Sequence, residues 1–146
     1  MQKGVTEMLI GTHSHGIDAK GRMFLPSKMR FDLGDMVYLV KGIDRCITVY
    51  PIKAWNDFYA KLDGLPQMEA RKIKRFLFAS AVETPIDSQG RVLIAPELRD
   101  YASLGKNVKL IGMGDVAEIW SEENYGTEMD SMIVDDIGKK LIELGF

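Results

Sequence analysis

Two segments of this chain place an aspartate, a glycine and an arginine at the same spacing: Asp18-Ala-Lys-Gly-Arg22 and Asp87-Ser-Gln-Gly-Arg91. Aspartate at the first position can accept a backbone N–H two residues on, and glycine at the fourth tolerates positive φ. That is the pattern of a type I turn closing a hairpin with a glycine bulge. Turn geometry therefore explains Asp18, Gly21, Asp87 and Gly90. It does not explain the arginines. At a hairpin tip a guanidinium can hold a phosphate or a guanine edge with two prongs. It can equally pair with its turn aspartate, or with the aspartate of the other segment, as a structural clamp. Lys20 gives the first tip a further cation, where the second tip has Gln89. Side-chain chemistry alone leaves clamp and contact open.

Other candidates are weaker. His13-Ser-His15 puts two imidazoles on one face of a strand, and with Asp18 they suggest a metal site for a small hydrolase. No further ligand is spaced to complete it, so two polar residues on a half-exposed strand is the better reading. Cys46 lies in an apolar run without a base partner, which argues against a nucleophile. The glycines form neither a dinucleotide-binding nor a P-loop pattern. Trp55 and Trp120 fall on apolar faces and read as core. Arg71, Lys72, Lys74 and Arg75 read as a solvated helix face rather than a phosphate clamp.

The 146 residues suit one domain, or two very small ones. With 46% apolar residues the chain can build a core. A single cysteine excludes an internal disulfide and a cysteine-built zinc site, and points to a reducing cytoplasm. No signal peptide or membrane span is expected. The net charge of −2 is unevenly spread. Residues 1–75 carry 13 basic against 8 acidic side chains, and residues 76–146 carry 6 against 13. A local basic face is therefore compatible with the acidic total.

The arginine tips belong to a longer repeat. Residues 17–30 align with 86–99 without a gap, and five of the 14 positions are identical: Ile17/Ile86, Asp18/Asp87, Gly21/Gly90, Arg22/Arg91 and Arg30/Arg99. Shifted by one residue the likeness continues, with Gly42 against Gly112, Tyr50 against Trp120 and Trp55 against Tyr125. Each copy reads as a strand, the turn, a second strand, a short helix opened by proline, and a hairpin. Helices are expected over 51–62 and 67–81, the latter with Ile73, Phe76, Leu77 and Ser80/Ala81 as its apolar stripe. A last helix starts at a Ser121 cap and keeps helical spacing through Tyr125, Met129, Ile133, Ile137, Leu141 and Leu144. Two such copies should interdigitate into one β-core with an internal pseudo-twofold, since so few short strands cannot bury their faces alone. Residues 1–7 carry no turn or strand signal and should be peripheral.

The paired tips resemble those of the MraZ family. So do the phrases around them: Leu-Ile-Gly…His-Gly-Ile-Asp-Ala-Lys-Gly-Arg, Arg-Cys-Ile-Thr-Val-Tyr-Pro, Arg-Phe-Leu-Phe-Ala-Ser-Ala, Gly-Arg-Val-Leu-Ile-Ala-Pro and Glu-Ile-Trp, in this order over about residues 8 to 125. The resemblance implies an α+β fold of two tandem AbrB-like swapped-hairpin units. The first repeat would span 8–62, a linking helix 63–81, the second repeat 82–125 and a helical extension 126–146. It implies a nucleoid-associated transcriptional regulator, usually a repressor of the division and cell-wall gene cluster, that is no enzyme and needs no cofactor or small-molecule substrate. Its partners would be double-stranded promoter DNA and further copies of itself in a ring. The DNA-facing residues would be His15, Lys20 and Arg22 in the first copy and Gln89 and Arg91 in the second. The rival class is an architectural ring in which the arginines are only clamps.

Overall fold

Most of the strand pairing runs between the two copies. The structure, a computed structural model, describes residues 8–146, so the expectation for residues 1–7 lies outside the described residues. The first copy comprises β1 (Thr12–Gly16), β2 (Arg22–Phe24), α1 (Ser27–Leu33), β3 (Met36–Lys41), β4 (Ile47–Pro51) and α2 (Ile52–Lys61). The second comprises β5 (Val82–Pro85), β6 (Arg91–Leu93), α4 (Pro96–Tyr101), β7 (Asn107–Gly112), β8 (Ala117–Ser121) and α5 (Glu122–Asp130). Between them lies α3 (Gln67–Ile73), and α6 (Val134–Glu143) ends the chain.

One antiparallel sheet has the order β1-β7-β8-β4-β3-β5, and β2 pairs with β6 in a separate ribbon. Exchanging the two copies reads the sheet order backwards and leaves it unchanged. A pseudo-twofold axis therefore passes between β4 and β8 and through the β2–β6 ribbon. Register confirms it: Met23 faces Val92 in the ribbon, and Thr48 faces Glu118 in the sheet. The swap has a physical cause. Strands of three residues are too short to hold a hairpin by themselves, and Met23 and Val92 stay dry only when each copy closes over the other. The fully buried side chains Met23, Leu39 and Ile47 share one cluster with Val92, Leu110 and Ile119. Burial of each such side chain stabilises by about 1.5–3 kcal/mol.

The aromatic pairing of the helices is also repeated. Trp55 of α2 meets Tyr50 of β4 edge-on at 5.2 Å, and Tyr125 of α5 meets Trp120 of β8 edge-on at 5.9 Å. The two ring types have changed places between strand and helix.

Three details differ from the sequence reading. Val37 pairs with Pro51 as Val108 pairs with Ser121, so Gly112 corresponds to Lys41 and not to Gly42. Gly112 has its own reason to be glycine: a Cβ there would strike the backbone of Leu9 and Ile10. The helix expected over 67–81 stops being α-helical at Ile73 and continues as a π-helical turn, Lys74–Phe78. The wider turn rotates the stripe. Phe78, not Phe76, packs on Trp55 at 4.7 Å, and Phe76 is left exposed, edge-on to Tyr101 at 6.3 Å. The C-terminal helix is two helices. Ser121 caps α5 by accepting from the Asn124 N–H at 3.0 Å, but α5 ends at Asp130. The β-branched pair Ile133-Val134 follows, and Asp135 and Asp136 then favour a new helix N-terminus.

Candidate nucleic-acid interface

The two tips have the same local structure. In the first, the Gly21 N–H donates to the Asp18 carbonyl at 3.0 Å and the Asp18 N–H to the Arg22 carbonyl at 2.9 Å. In the second, the Gly90 and Asp87 N–H groups make the matching bonds at 2.9 Å each. Gly21 and Gly90 both have φ of 85°, a conformation open to glycine and costly for other residues. The aspartate side chain finishes the turn. Asp18 Oδ1 accepts from the backbone N–H groups of Lys20 and Arg22, both at 2.9 Å. Asp87 Oδ1 accepts from Gln89 at 2.9 Å and Arg91 at 2.8 Å. These bonds, with that of the arginine backbone N–H the largest cause and the arginine side chain adding to it, hold both carboxyls below the usual carboxylate range against a smaller opposing effect of burial.

The same aspartates grip the arginines. Arg22 Nε lies 2.8 Å from Asp18 Oδ2, and Arg91 Nε lies 2.8 Å from Asp87 Oδ2. Each pair is made within its own tip, not across the copies. Only Nε is used. Among the described residues, the terminal nitrogens of neither guanidinium make a hydrogen bond. The clamp thus fixes one edge of the guanidinium and leaves the two-pronged edge free, so clamp and contact are compatible roles. Lys20 and Gln89 occupy equivalent exposed positions in the two turns.

Two further arginines reach the tips, each from the other copy. A Cβ on Gly90 would lie 2.7 Å from Arg30 Nη1, and one on Gly21 would lie 3.1 Å from Arg99 Cζ. Backbone bonds tie the same places together: the Leu25 N–H donates to the Gly90 carbonyl at 2.8 Å and the Ile94 N–H to the Gly21 carbonyl at 2.9 Å. Arg99 Nε also donates to the Ile94 carbonyl at 3.1 Å. Each tip therefore carries two guanidiniums, one from each repeat. Arg30 and Arg99 are one of the five identities in the repeat, but the sequence gives no reason to place them at a tip, because their approach depends on the swap. Between the tips the ribbon exposes Phe24 and Leu93, and the Arg91 guanidinium lies over the Phe24 ring at 5.9 Å.

His15 lies on β1, ahead of the first tip. It is half-buried on β1 and lines a shallow cavity with Asn107 and Glu122, and its Nε2 is buried without a hydrogen-bond partner. Burial, then the charge of His13, lowers its pKa. The His13 and His15 rings lie 6.5 Å apart, and among the described residues no three potential ligands gather as a metal site. Cys46 is fully buried, and burial pushes its thiol up to about 12, far from a reactive thiolate. Trp55 and Trp120 are core residues, as read. Arg71, Lys72, Lys74 and Arg75 are all exposed. Among the described residues, no helix is long and apolar enough to cross a membrane.

Comparison with known proteins agrees with the repeat. A family model described as "MraZ protein, putative antitoxin-like" matches twice, over residues 8–76 and 77–133. The chain is 47% identical over 142 residues to the transcriptional regulator MraZ of Caldicellulosiruptor bescii, covering 94% of this chain and 99% of that protein. It is 44% identical over 142 residues to the protein of that name from Thermoanaerobacter pseudethanolicus, with the same coverage. To that of Clostridium tetani it is 41% identical over 141 residues, covering 94% and 99%. With two matched units over most of its length, and two tips built alike on one shared β-core, the chain belongs to the MraZ family.

Proposed function

We propose that this protein is a sequence-specific DNA-binding regulator of transcription that engages promoter DNA through its two Asp-x-x-x-Arg tips as a self-associated assembly. The observation that carries the reading is the pair of guanidiniums at each tip, one held by its turn aspartate with its terminal nitrogens free. In this reading Arg22 and Arg91 read base edges. Lys20, Arg30 and Arg99 meet phosphates and set the register, and Gln89 and His15 supply further contacts to the DNA. The pseudo-twofold axis spaces the two tips for successive half-sites. The relatives' shared name, transcriptional regulator, supports the general function. The resemblance adds the division and cell-wall gene cluster as target, repression as the usual outcome, a ring as the assembly and the nucleoid as its place. Neither a cofactor nor a small-molecule substrate enters the reading, and it assigns no enzymatic activity.

One observation favours the architectural alternative. Asp18 and Asp87 already neutralise the arginines they hold, as a pure clamp would require. A mobility-shift titration against a promoter fragment and an unrelated duplex, at two salt concentrations, separates the two. A regulator retains the promoter at salt that releases the unrelated duplex. Equal release from both would leave the architectural reading. Sequencing the fragments retained from sheared genomic DNA would then name the operator.

A further inference from the structure

The ribbon that joins the two tips has an outward face that is half apolar. In its ladder Arg22 pairs with Leu93, Met23 with Val92 and Phe24 with Arg91. Side chains alternate across a strand, and Met23 and Val92 are the buried ones. The other four therefore share the outer face, each guanidinium opposite an apolar side chain. Phe24 is 50% exposed and Leu93 56%, and the pseudo-twofold axis exchanges them. Single exposed apolar residues are common on proteins. This pair differs in its setting, because it lies between tips that carry Lys20, Arg22, Arg30, Arg91 and Arg99. The carboxylates beside these cations are Asp18 and Asp87, each paired with its arginine, and Asp35, which lines a cavity with Arg30 and Asp87. The cations remain in excess.

Resting on the DNA reading above, we infer that Phe24 and Leu93 read the C5-methyl group of thymines that neighbour the guanines met by Arg91 and Arg22. The partner of this surface must be polyanionic and must offer apolar contact a few ångströms from hydrogen-bond acceptors. The major groove of DNA does both: guanine presents O6 and N7, and thymine presents a methyl group. A second copy of the ribbon would instead bring guanidiniums onto guanidiniums. The dimensions agree. The groove is about 12 Å wide and admits a two-stranded ribbon. Residues two apart on a strand are separated by about 6.6 Å, which is two base-pair rises of about 3.4 Å. Residues opposite each other in the ladder are closer, at about 5 Å. Each thymine methyl read in this way therefore lies within two base pairs of a guanine. The Arg91 guanidinium, 5.9 Å from the centre of the Phe24 ring, already sets one such pair of readers side by side. The ribbon thus specifies guanine with a neighbouring thymine, a narrower target than guanine alone.

The test removes the methyl group from the DNA. The probe is the shortest duplex retained from the promoter fragment, synthesised with deoxyuridine in place of each thymine in turn, and in a second series with 7-deazaguanine, which lacks N7, in place of each guanine. Mobility shift with the wild-type chain should find thymines, within two base pairs of an N7-sensitive guanine, whose replacement by deoxyuridine weakens binding about fourfold per contacted methyl. This arm needs no variant to fold. Phe24→Ala and Leu93→Ala should each become indifferent to deoxyuridine at one set of these thymines while still distinguishing 7-deazaguanine. Wild-type binding that prefers the promoter yet ignores deoxyuridine at every position would overturn the methyl contact and leave the DNA reading standing. Equal retention of the promoter and an unrelated duplex would overturn the DNA reading itself, and this inference with it. A Phe24→Ala chain that loses its sensitivity to 7-deazaguanine and keeps its sensitivity to deoxyuridine would make Phe24 a positioning residue for Arg91 and overturn its thymine contact. A changed mass of either variant by light scattering, with no deoxyuridine effect in the wild type, would assign the apolar pair to a contact between copies and overturn the inference.

Discussion

The two tips share a backbone and differ in what surrounds it. Gly21 and Gly90 have the same φ, and Asp18 and Asp87 make the same set of bonds. The surroundings diverge in three ways. Lys20 stands where the second tip has Gln89. The Arg22 side chain is 31% exposed and that of Arg91 20%. Arg91 lies over Phe24, whereas Arg22 faces the equivalent Leu93. Turn chemistry therefore fixes where each guanidinium sits, and neighbouring residues set how strongly it presents itself to a polyanion. In the proposed reading the first tip is the stronger contact.

The largest expected effect breaks the comparison outright. Arg22→Ala should abolish detectable specific DNA binding at moderate salt, and Arg91→Ala should weaken it less. A guanidinium on guanine is worth roughly 1–3 kcal/mol of discrimination, repeated at every engaged copy. Melting should change little in either variant, because exposed ion pairs contribute about 0–1 kcal/mol. Mobility shift beside a melting curve is the measurement. Arg22→Ala binding like wild type, or unfolding in proportion to its lost binding, would return both arginines to the clamp role.

Next come the glycines, which ask whether the tips are also equal in stability. Gly21→Ala and Gly90→Ala each force a side chain into the left-handed region at about 1–2 kcal/mol. The neighbouring guanidinium must move further at Gly90, where a Cβ would meet Arg30 Nη1 at 2.7 Å, than at Gly21, where Arg99 Cζ is 3.1 Å away. Denaturant unfolding should therefore show both variants destabilised, with Gly90→Ala displacing its arginine more. Equal stability of either variant and wild type would contradict the strained turn.

These tests also show what was legible in sequence. The turn was, because Asp and Gly at fixed offsets encode it locally. The pseudo-twofold was, because residues 17–30 and 86–99 match without a gap. The Arg30 and Arg99 approaches were not, since each arginine lies on its own copy's helix and reaches the other copy's tip only after the swap. The π turn at Lys74–Phe78 was hidden for a related reason: the Trp55 pocket selects Phe78, while helical periodicity alone selects Phe76. His15 carried a polar signal that could not say which way β1 would face.

A smaller effect concerns acid. Both turn carboxyls sit below their ordinary pKa in the folded chain, first through the arginine backbone N–H. A depressed folded pKa means the unfolded chain binds protons more readily. The stability they contribute is present above the ordinary carboxylate range and is lost as pH falls through the folded values. Asp18→Asn and Asp87→Asn should each flatten the acid limb of a melting-versus-pH curve, and by similar amounts because the bonds match. Flattening by only one of them would show that the tips are less alike than their geometry.

The smallest effect is the most discriminating, because it exchanges the one charge that distinguishes the tips. Lys20→Gln gives the first tip the neutral side chain of the second, and Gln89→Lys does the reverse. Both positions are exposed, so folding should be unaffected to within about 0.5 kcal/mol. A phosphate contact changes the slope of log affinity against log salt by about 0.9. Lys20→Gln should therefore flatten that slope by about this amount for each engaged tip while preserving the preference for promoter over unrelated duplex. Gln89→Lys should steepen it, and the double exchange should return the wild-type slope if the two tips meet DNA in the same way. A double exchange that keeps the flattened slope would mean that only the first tip reaches the backbone. In that case the second tip is an architectural copy, its arginine is a clamp over Phe24, and the equality of the two turns describes the fold and not the complex.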